Sequence, residues 1–214
     1  MRCWRHSARG DRRRSFVLFR LPSAAGRGVG RQSDFQDQTH VQDVQELNVP
    51  ARSVDVAYAR WVLCFVPKPE AVVAGVAGAL KPGGIFAVQD YINWGALTLS
   101  PRSEAFLRVM PAVGKSWSMR GGDWQVGQRL PAIMAEAGFE ILETRPLQRI
   151  ARPGDPLWDW PTTFFHIFIP SLVEQGLVAR EDFAAFQKEW AERSKDPNAM
   201  FWTPSMVEII ARKR

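Results

Sequence analysis

The sequence is short of the residues that several function classes require. Its 214 residues include two cysteines, Cys3 and Cys64, and three histidines. Two cysteines cannot build a disulfide framework, and they point to a reducing, cytoplasmic-type compartment. The histidines and cysteines lack ligand spacing, so no metal is expected. No Ser-His-Asp or paired-carboxylate constellation stands out, and sequence alone names no catalytic residue. Long apolar runs are also missing. The longest stretch without Lys, Arg, Asp or Glu runs from Trp160 to Val173 and contains Pro161 and Pro170. A membrane-spanning helix needs about 20 apolar residues, so neither a span nor a membrane partner is expected. The remaining composition, 46% hydrophobic and 23% charged, is that of a globular domain and excludes whole-chain disorder and a coiled coil.

Lysine is absent from residues 1–32, although six lysines follow. That segment holds nine arginines and one acid, Asp11, for a net +8. The whole chain carries +6, so residues 33–214 carry −2. The basic character therefore belongs to residues 1–36, read as an atypical or disordered leader, and not to the body. A basic body would suggest nucleic acid; a basic leader on a slightly acidic body does not. Arg12-Arg13-Arg14 suits a polyanion, and an Arg-rich, acid-poor stretch also suits a transit peptide. Gly26-Arg27-Gly28-Val29-Gly30 matches G-x-G-x-G, but no apolar helical stripe follows it, as a phosphate-cradling turn requires. A start that is not the domain's own fits the same composition.

From about residue 37 the pattern alternates strands and helices. Ser53 to Ala59 reads as a strand that becomes buried. Pro69 and Glu70 open a helix whose Val72, Val73, Val76 and Leu80 share a face. Lys81-Pro82-Gly83-Gly84 stops it, and Ile85 to Gln89 is the next strand, ending in Asp90 and Tyr91. Strand, helix and strand make a right-handed crossover, and a mainly parallel sheet is expected. An aromatic and proline-rich segment follows. Gln128 to Gly138 reads as a helix with a glycine cap, Phe139 to Thr144 as a strand and Met206 to Ala211 as the last strand. Between them, residues 148–204 form a helical insertion, with helices over 162–175 and 180–193. Its aromatics suit a lid over a hydrophobic acceptor, or a helical cap with its own core. His166 lies within it, as a candidate general base or a structural histidine.

Three segments, taken in order, resemble the second half of class I S-adenosylmethionine-dependent methyltransferases. Asp43-Val44-Gln45-Glu46-Leu47 is like the family's acidic-x-x-x-Leu turn. Ser53 to Leu63 is like its "S-F-D" strand, and Leu80 to Asp90 is like its "L-K-P-G-G" turn and fifth strand. Leu130 to Phe139 is similar to its "L-L-x-x-A-G-F" helix. The resemblance implies an α/β fold: a Rossmann-like sheet, N-terminally incomplete, with the helical insertion before its last strand, over residues 37–214. It implies S-adenosylmethionine as cofactor and methyl transfer to a small-molecule acceptor. Carried over, Asp43 accepts from the adenine amino group and Val44 offers its backbone N–H to the ring. Arg60 and Trp61, at the carboxyl edge of the sheet, contact the methionine part. Asp90, Tyr91 and Trp94, with His166, are the candidate contacts to the acceptor. The family's glycine loop and ribose-binding acid should precede Asp43. Twelve residues between Gly30 and Asp43 leave no room for them. A non-catalytic remnant or interaction module is therefore the alternative expectation.

Overall fold

The computed structural model describes residues 15–20 and 37–214, with side chains from residue 42 onward. The arginine run and the Gly26–Gly30 stretch lie outside the described residues. β1 (Ser15–Arg20) and β2 (Asp37–Gln42) pair antiparallel. A 3-10 turn at Val44–Glu46 follows, with Asp43 at its start.

Period-two burial builds the central sheet. β3 (Val54–Arg60), α1 (Pro69–Ala79) and β4 (Leu80–Asn93) form the expected crossover, with β3 and β4 parallel. Gly83 makes the turn into β4 at φ +78, and a Cβ on Gly84 would sit 2.9 Å from the Lys81 carbonyl oxygen. β5 (Thr98–Ser100), α2 (Glu104–Ser118), α3 (Leu130–Glu136), β6 (Phe139–Leu147) and β7 (Ile150–Ala151) follow. α4 (Asp159–Glu174), α5 (Arg180–Arg193), β8 (Met200–Trp202) and β9 (Ser205–Lys213) complete the chain. The sheet order is β3-β4-β9-β6. β3 and β4 pair in parallel, and β9 runs antiparallel to both β4 and β6. β3, β4 and β6 thus share one direction, as the expected mainly parallel sheet requires, and β9 alone is reversed. The chain re-enters from the insertion at the rim, so its last strand runs back against its neighbours.

One face of this sheet is dry. Phe86, Val88, Phe139, Ile209 and Ala211 are buried there. α1 packs on β4, α3 packs on β6, and the two helices touch. The other face shows Val56 and Tyr58, 56% and 55% exposed. It also carries a polar ladder: Tyr58 Oη donates to Gln89 Oε1 (2.9 Å), and Gln89 Nε2 donates to Glu208. The outer edge of β3 pairs with no strand among the described residues.

α2 was not expected, because Pro111 and Gly114 make its sequence read as loop. Its start is nevertheless well marked. Ser103 Oγ accepts from Phe106 N (3.0 Å), and Glu104 lies in the first turn. Ala105, Phe106, Val109, Met110, Val113 and Trp117 then recur at helical spacing and are buried. α2 packs against α4 and α5, so the insertion is not a detached lid. A second small sheet, β5-β8-β7, ties residues 98–100 to both ends of the insertion.

Candidate functional site at the carboxyl rim

Two parallel strands end side by side, and their last residues build the rim. Trp61 follows β3, and its N–H donates to the Gln89 carbonyl oxygen of β4 (3.0 Å). Its φ is +52, a left-handed conformation that costs a non-glycine residue about 1–2 kcal/mol. The surroundings hold it there. Its indole Nε1 donates to Met206 Sδ (3.2 Å), and its ring stacks on Tyr91 (6.3 Å) and Trp160 (6.1 Å). The Arg60 guanidinium lies 4.2 Å from the ring centroid, within cation–π range.

Asp90 lies beneath this segment and is fully buried. Its parity in β4 is that of Phe86 and Val88, so it faces the dry side. Asp90 Oδ2 accepts from the N–H groups of Leu63 (2.9 Å) and Cys64 (3.2 Å), and Oδ1 from that of Tyr91 (2.9 Å). Burial raises its carboxyl above the usual range, and these hydrogen bonds oppose the shift. The carboxylate therefore fixes the chain after Trp61. Burial, then the Asp90 charge, also pushes the Cys64 thiol well up.

The turn carrying Asp43 and Val44 reaches the same end of the sheet. Gln45 Oε1 accepts from Lys68 N (3.1 Å), at the start of α1, which follows the carboxyl tip of β3. Asp43 Oδ1 caps its own turn, accepting from Gln45 N (2.9 Å) and Gln45 Nε2 (3.2 Å), and Val44 is buried. The structure thus brings Arg60, Trp61, Asp90, Tyr91 and Trp94 to one region, and ties the turn of Asp43 and Val44 to the segment after β3 through Gln45 and Lys68. It keeps His166 apart. Trp160, Phe164 and Phe168 share the face of α4 toward the rim, whereas Thr162, Phe165 and His166 share the face toward α5. His166 Nδ1 donates to the Thr162 carbonyl (2.7 Å).

Two aromatic clusters result. Toward α5, Trp158 and Trp190 stack at 4.8 Å and Phe165 meets Trp190 at 4.9 Å. Both indoles are satisfied there: Trp158 Nε1 donates to Ser194 Oγ and Trp190 Nε1 to Thr162 Oγ1. Toward the rim, Trp94 is 3% exposed, and its Nε1 has no acceptor among the described residues. Sequence reading missed Trp117, which packs against Trp94 at 4.8 Å and Tyr91 at 5.7 Å. The helical stripe that starts at Ser103 was the signal for it.

Residues 22–88 match the sequence profile of a methyltransferase domain. Through this stretch the chain is similar to the class I methyltransferase family. The match begins inside the arginine-rich segment. Among curated methyltransferases, the sterol 24-C-methyltransferase of Eremothecium gossypii is 26% identical over 143 residues, 64% of this chain and 35% of that protein. Methyltransferase GfsG of Streptomyces halstedii is 25% identical over 150 residues, 70% of this chain and 48% of that protein. The chain therefore spans between a third and a half of the length of these relatives. Among solved structures, an S-adenosylmethionine-dependent methyltransferase of Methanosarcina mazei aligns with 88% of this chain and 72% of its own, at 13% identity and TM-score 0.47. No helix among the described residues is long and apolar enough to cross a membrane.

Proposed function

We propose that the chain forms the acceptor side of an S-adenosylmethionine-dependent methyltransferase acting on a small molecule in a reducing, cytoplasmic-type compartment. The observation that carries this reading is the stacking of Trp61 on Tyr91 at the tips of two parallel strands, with the Asp43 turn tied by Gln45 to Lys68 in the segment after β3. Ligands of open α/β sheets bind there. The buried free thiol of Cys64 supports the compartment.

The residues present fit one side of the cofactor. Asp43, held by Gln45, would accept from the adenine amino group, and Val44 would offer its N–H to the ring. Arg60 and Trp61 would lie along the methionine part. The described residues supply neither a glycine cradle nor an acid for the ribose. When bound, the sulfonium supplies an electrophilic methyl group. The chain's own residues do the rest. Trp160 and Phe164 would exclude water, and Tyr91 and Trp94 would hold and orient the acceptor. We assign Asp90 as a positioning residue, because its oxygens are occupied by backbone donors that set the Trp61 segment.

Calorimetry with S-adenosylmethionine and S-adenosylhomocysteine tests the reading. Binding that weakens about tenfold in Asp43→Ala, the effect of one lost charge-assisted hydrogen bond, supports it. A chain that binds neither compound at millimolar concentration overturns it. That result leaves the second reading, a non-catalytic interaction module, which exposed Val56 and Tyr58 on β3, whose outer edge pairs with no strand among the described residues, favour.

A further inference from the structure

Five aromatic rings close a circuit at the carboxyl rim. Trp61 contacts Tyr91 at 6.3 Å, Tyr91 contacts Trp94 at 5.1 Å, and Trp94 contacts Phe164 at 6.0 Å. Phe164 contacts Trp160 at 6.3 Å, and Trp160 returns to Trp61 at 6.1 Å. The links join the ends of β3 and β4, the turn after β4, and α4. Among the described residues, no pair of rings makes contact across this circuit.

Two polar features set its chemistry. The first is the Trp94 indole N–H, buried and without an acceptor among the described residues. The indoles of Trp158 and Trp190, in the cluster on the other face of α4, both have acceptors. The second is Arg60, which is exposed, lies over Trp61 and makes no ion pair among the described residues. An aromatic enclosure alone would suit an organic cation. Here a guanidinium stands beside it, and its idle group is a donor. A quaternary ammonium would be repelled by the first and would offer nothing to the second. Asp90, next to Tyr91, does not reverse this balance, because its carboxylate accepts from three backbone N–H groups.

We infer that this circuit is the acceptor pocket, and that it takes an apolar molecule carrying an oxygen head: a hydroxyl, carbonyl or carboxylate. The apolar body lies among the rings, the head accepts from Trp94 Nε1, and an anionic head also meets Arg60. This rests on the methyl-transfer reading for the role of the rim, but the chemistry of the pocket can be tested without the cofactor.

The test uses the full chain labelled with nitrogen-15 and follows the indole Nε1–H resonance of Trp94, assigned by its loss in Trp94→Phe. Octanol, octanoate and octyltrimethylammonium share one tail and differ in the head. Octanol and octanoate should move this resonance downfield, as a new hydrogen bond does. Octanoate should bind at least about tenfold more tightly than octyltrimethylammonium, and Arg60→Gln should remove about tenfold from octanoate but no more than about twofold from octanol. Trp94→Phe should weaken octanol about tenfold while the other indole resonances stay in place. Preferential binding of octyltrimethylammonium, or a Trp94 resonance that neither oxygen-headed compound moves, overturns the inference. Should Trp94→Phe fail to fold, Arg60→Gln and the wild-type titration still decide. S-adenosylmethionine titrated into the same sample separates the two proposals. A shift with octanol in a chain that binds no cofactor keeps the pocket and removes the transferase; cofactor binding without the octanol shift does the reverse.

Discussion

The two faces of α4 carry the same residue types and use them differently. Toward α5, Phe165, Trp158, Trp190 and Phe186 pack tightly, and each buried indole has an acceptor. Toward the rim, Trp160 and Phe164 meet rings on other elements at 6.0–6.5 Å, and the Trp94 donor has no acceptor among the described residues. A buried donor without a partner costs about 1–3 kcal/mol, so the rim cluster is the worse core. An aromatic stripe at helical spacing is therefore not one thing. Its polar atoms, and not its rings, separate a cluster that holds the fold from one that can hold a ligand.

Truncation is the harshest way to break this comparison. Phe165→Ala removes a buried ring that meets Phe106, Phe186, Trp190 and Phe201 and should cost about 3–5 kcal/mol in urea unfolding, whereas Trp160→Ala, at a partly buried position, should cost less than half as much. Equal costs would dissolve the distinction. Asp90→Asn is next. An amide offers one acceptor oxygen where the carboxylate uses two, so the change should cost about 1–3 kcal/mol. Its pH dependence carries a sign. Asp90 titrates at higher pH in the fold than in the unfolded chain, where carboxyls titrate near 3.9. The stability tied to its protonated form is fully present below about pH 4 and is lost as pH rises through the folded value. The stability difference between wild type and Asp90→Asn should therefore shrink from pH 4 upward. A difference that grows over that window would show that the three N–H donors outweigh burial.

A finer cut compares indoles. Trp190→Phe removes the hydrogen bond to Thr162 Oγ1, while Trp94→Phe removes none. The former should cost about 1 kcal/mol more by chemical denaturation. Smallest of all is the ion pair between Arg108 Nε and Asp182 Oδ1 (2.7 Å), which bridges α2 and α5 at the surface. Arg108→Ala should cost less than about 1 kcal/mol, and salt should remove most of that.

Local periodicity made most elements legible. α1, β4, α3, β6, α4, α5 and β9 stand within a few residues of where the spacing puts them. α2 was hidden by Pro111, which forfeits one backbone hydrogen bond while buried side chains on the rest of the helix outweigh it. Strand direction for β9 was not legible, since a strand's own pattern does not say which way it enters a sheet. Asp90 teaches a similar lesson. Its position at the end of β4 was readable, and so was its parity with Phe86 and Val88. The three backbone donors that surround it come from a segment 26 or 27 residues away and from its neighbour, and only folding brings them together. His166 was read as a candidate acceptor contact from its place in the aromatic insertion alone. The two positions that separate it from Phe164 along the helix turn its side chain to the opposite flank.

Cys64 turns the Trp61 segment into its own stopwatch. The thiol is sealed beneath the residues that Asp90 holds, and its raised pKa keeps it as an unreactive S–H. In a chain with Cys3 changed to serine, each molecule is alkylated once at this sulfur, and at reagent concentrations where alkylation outpaces reclosing the mean time to modification is the lifetime of the assembled rim.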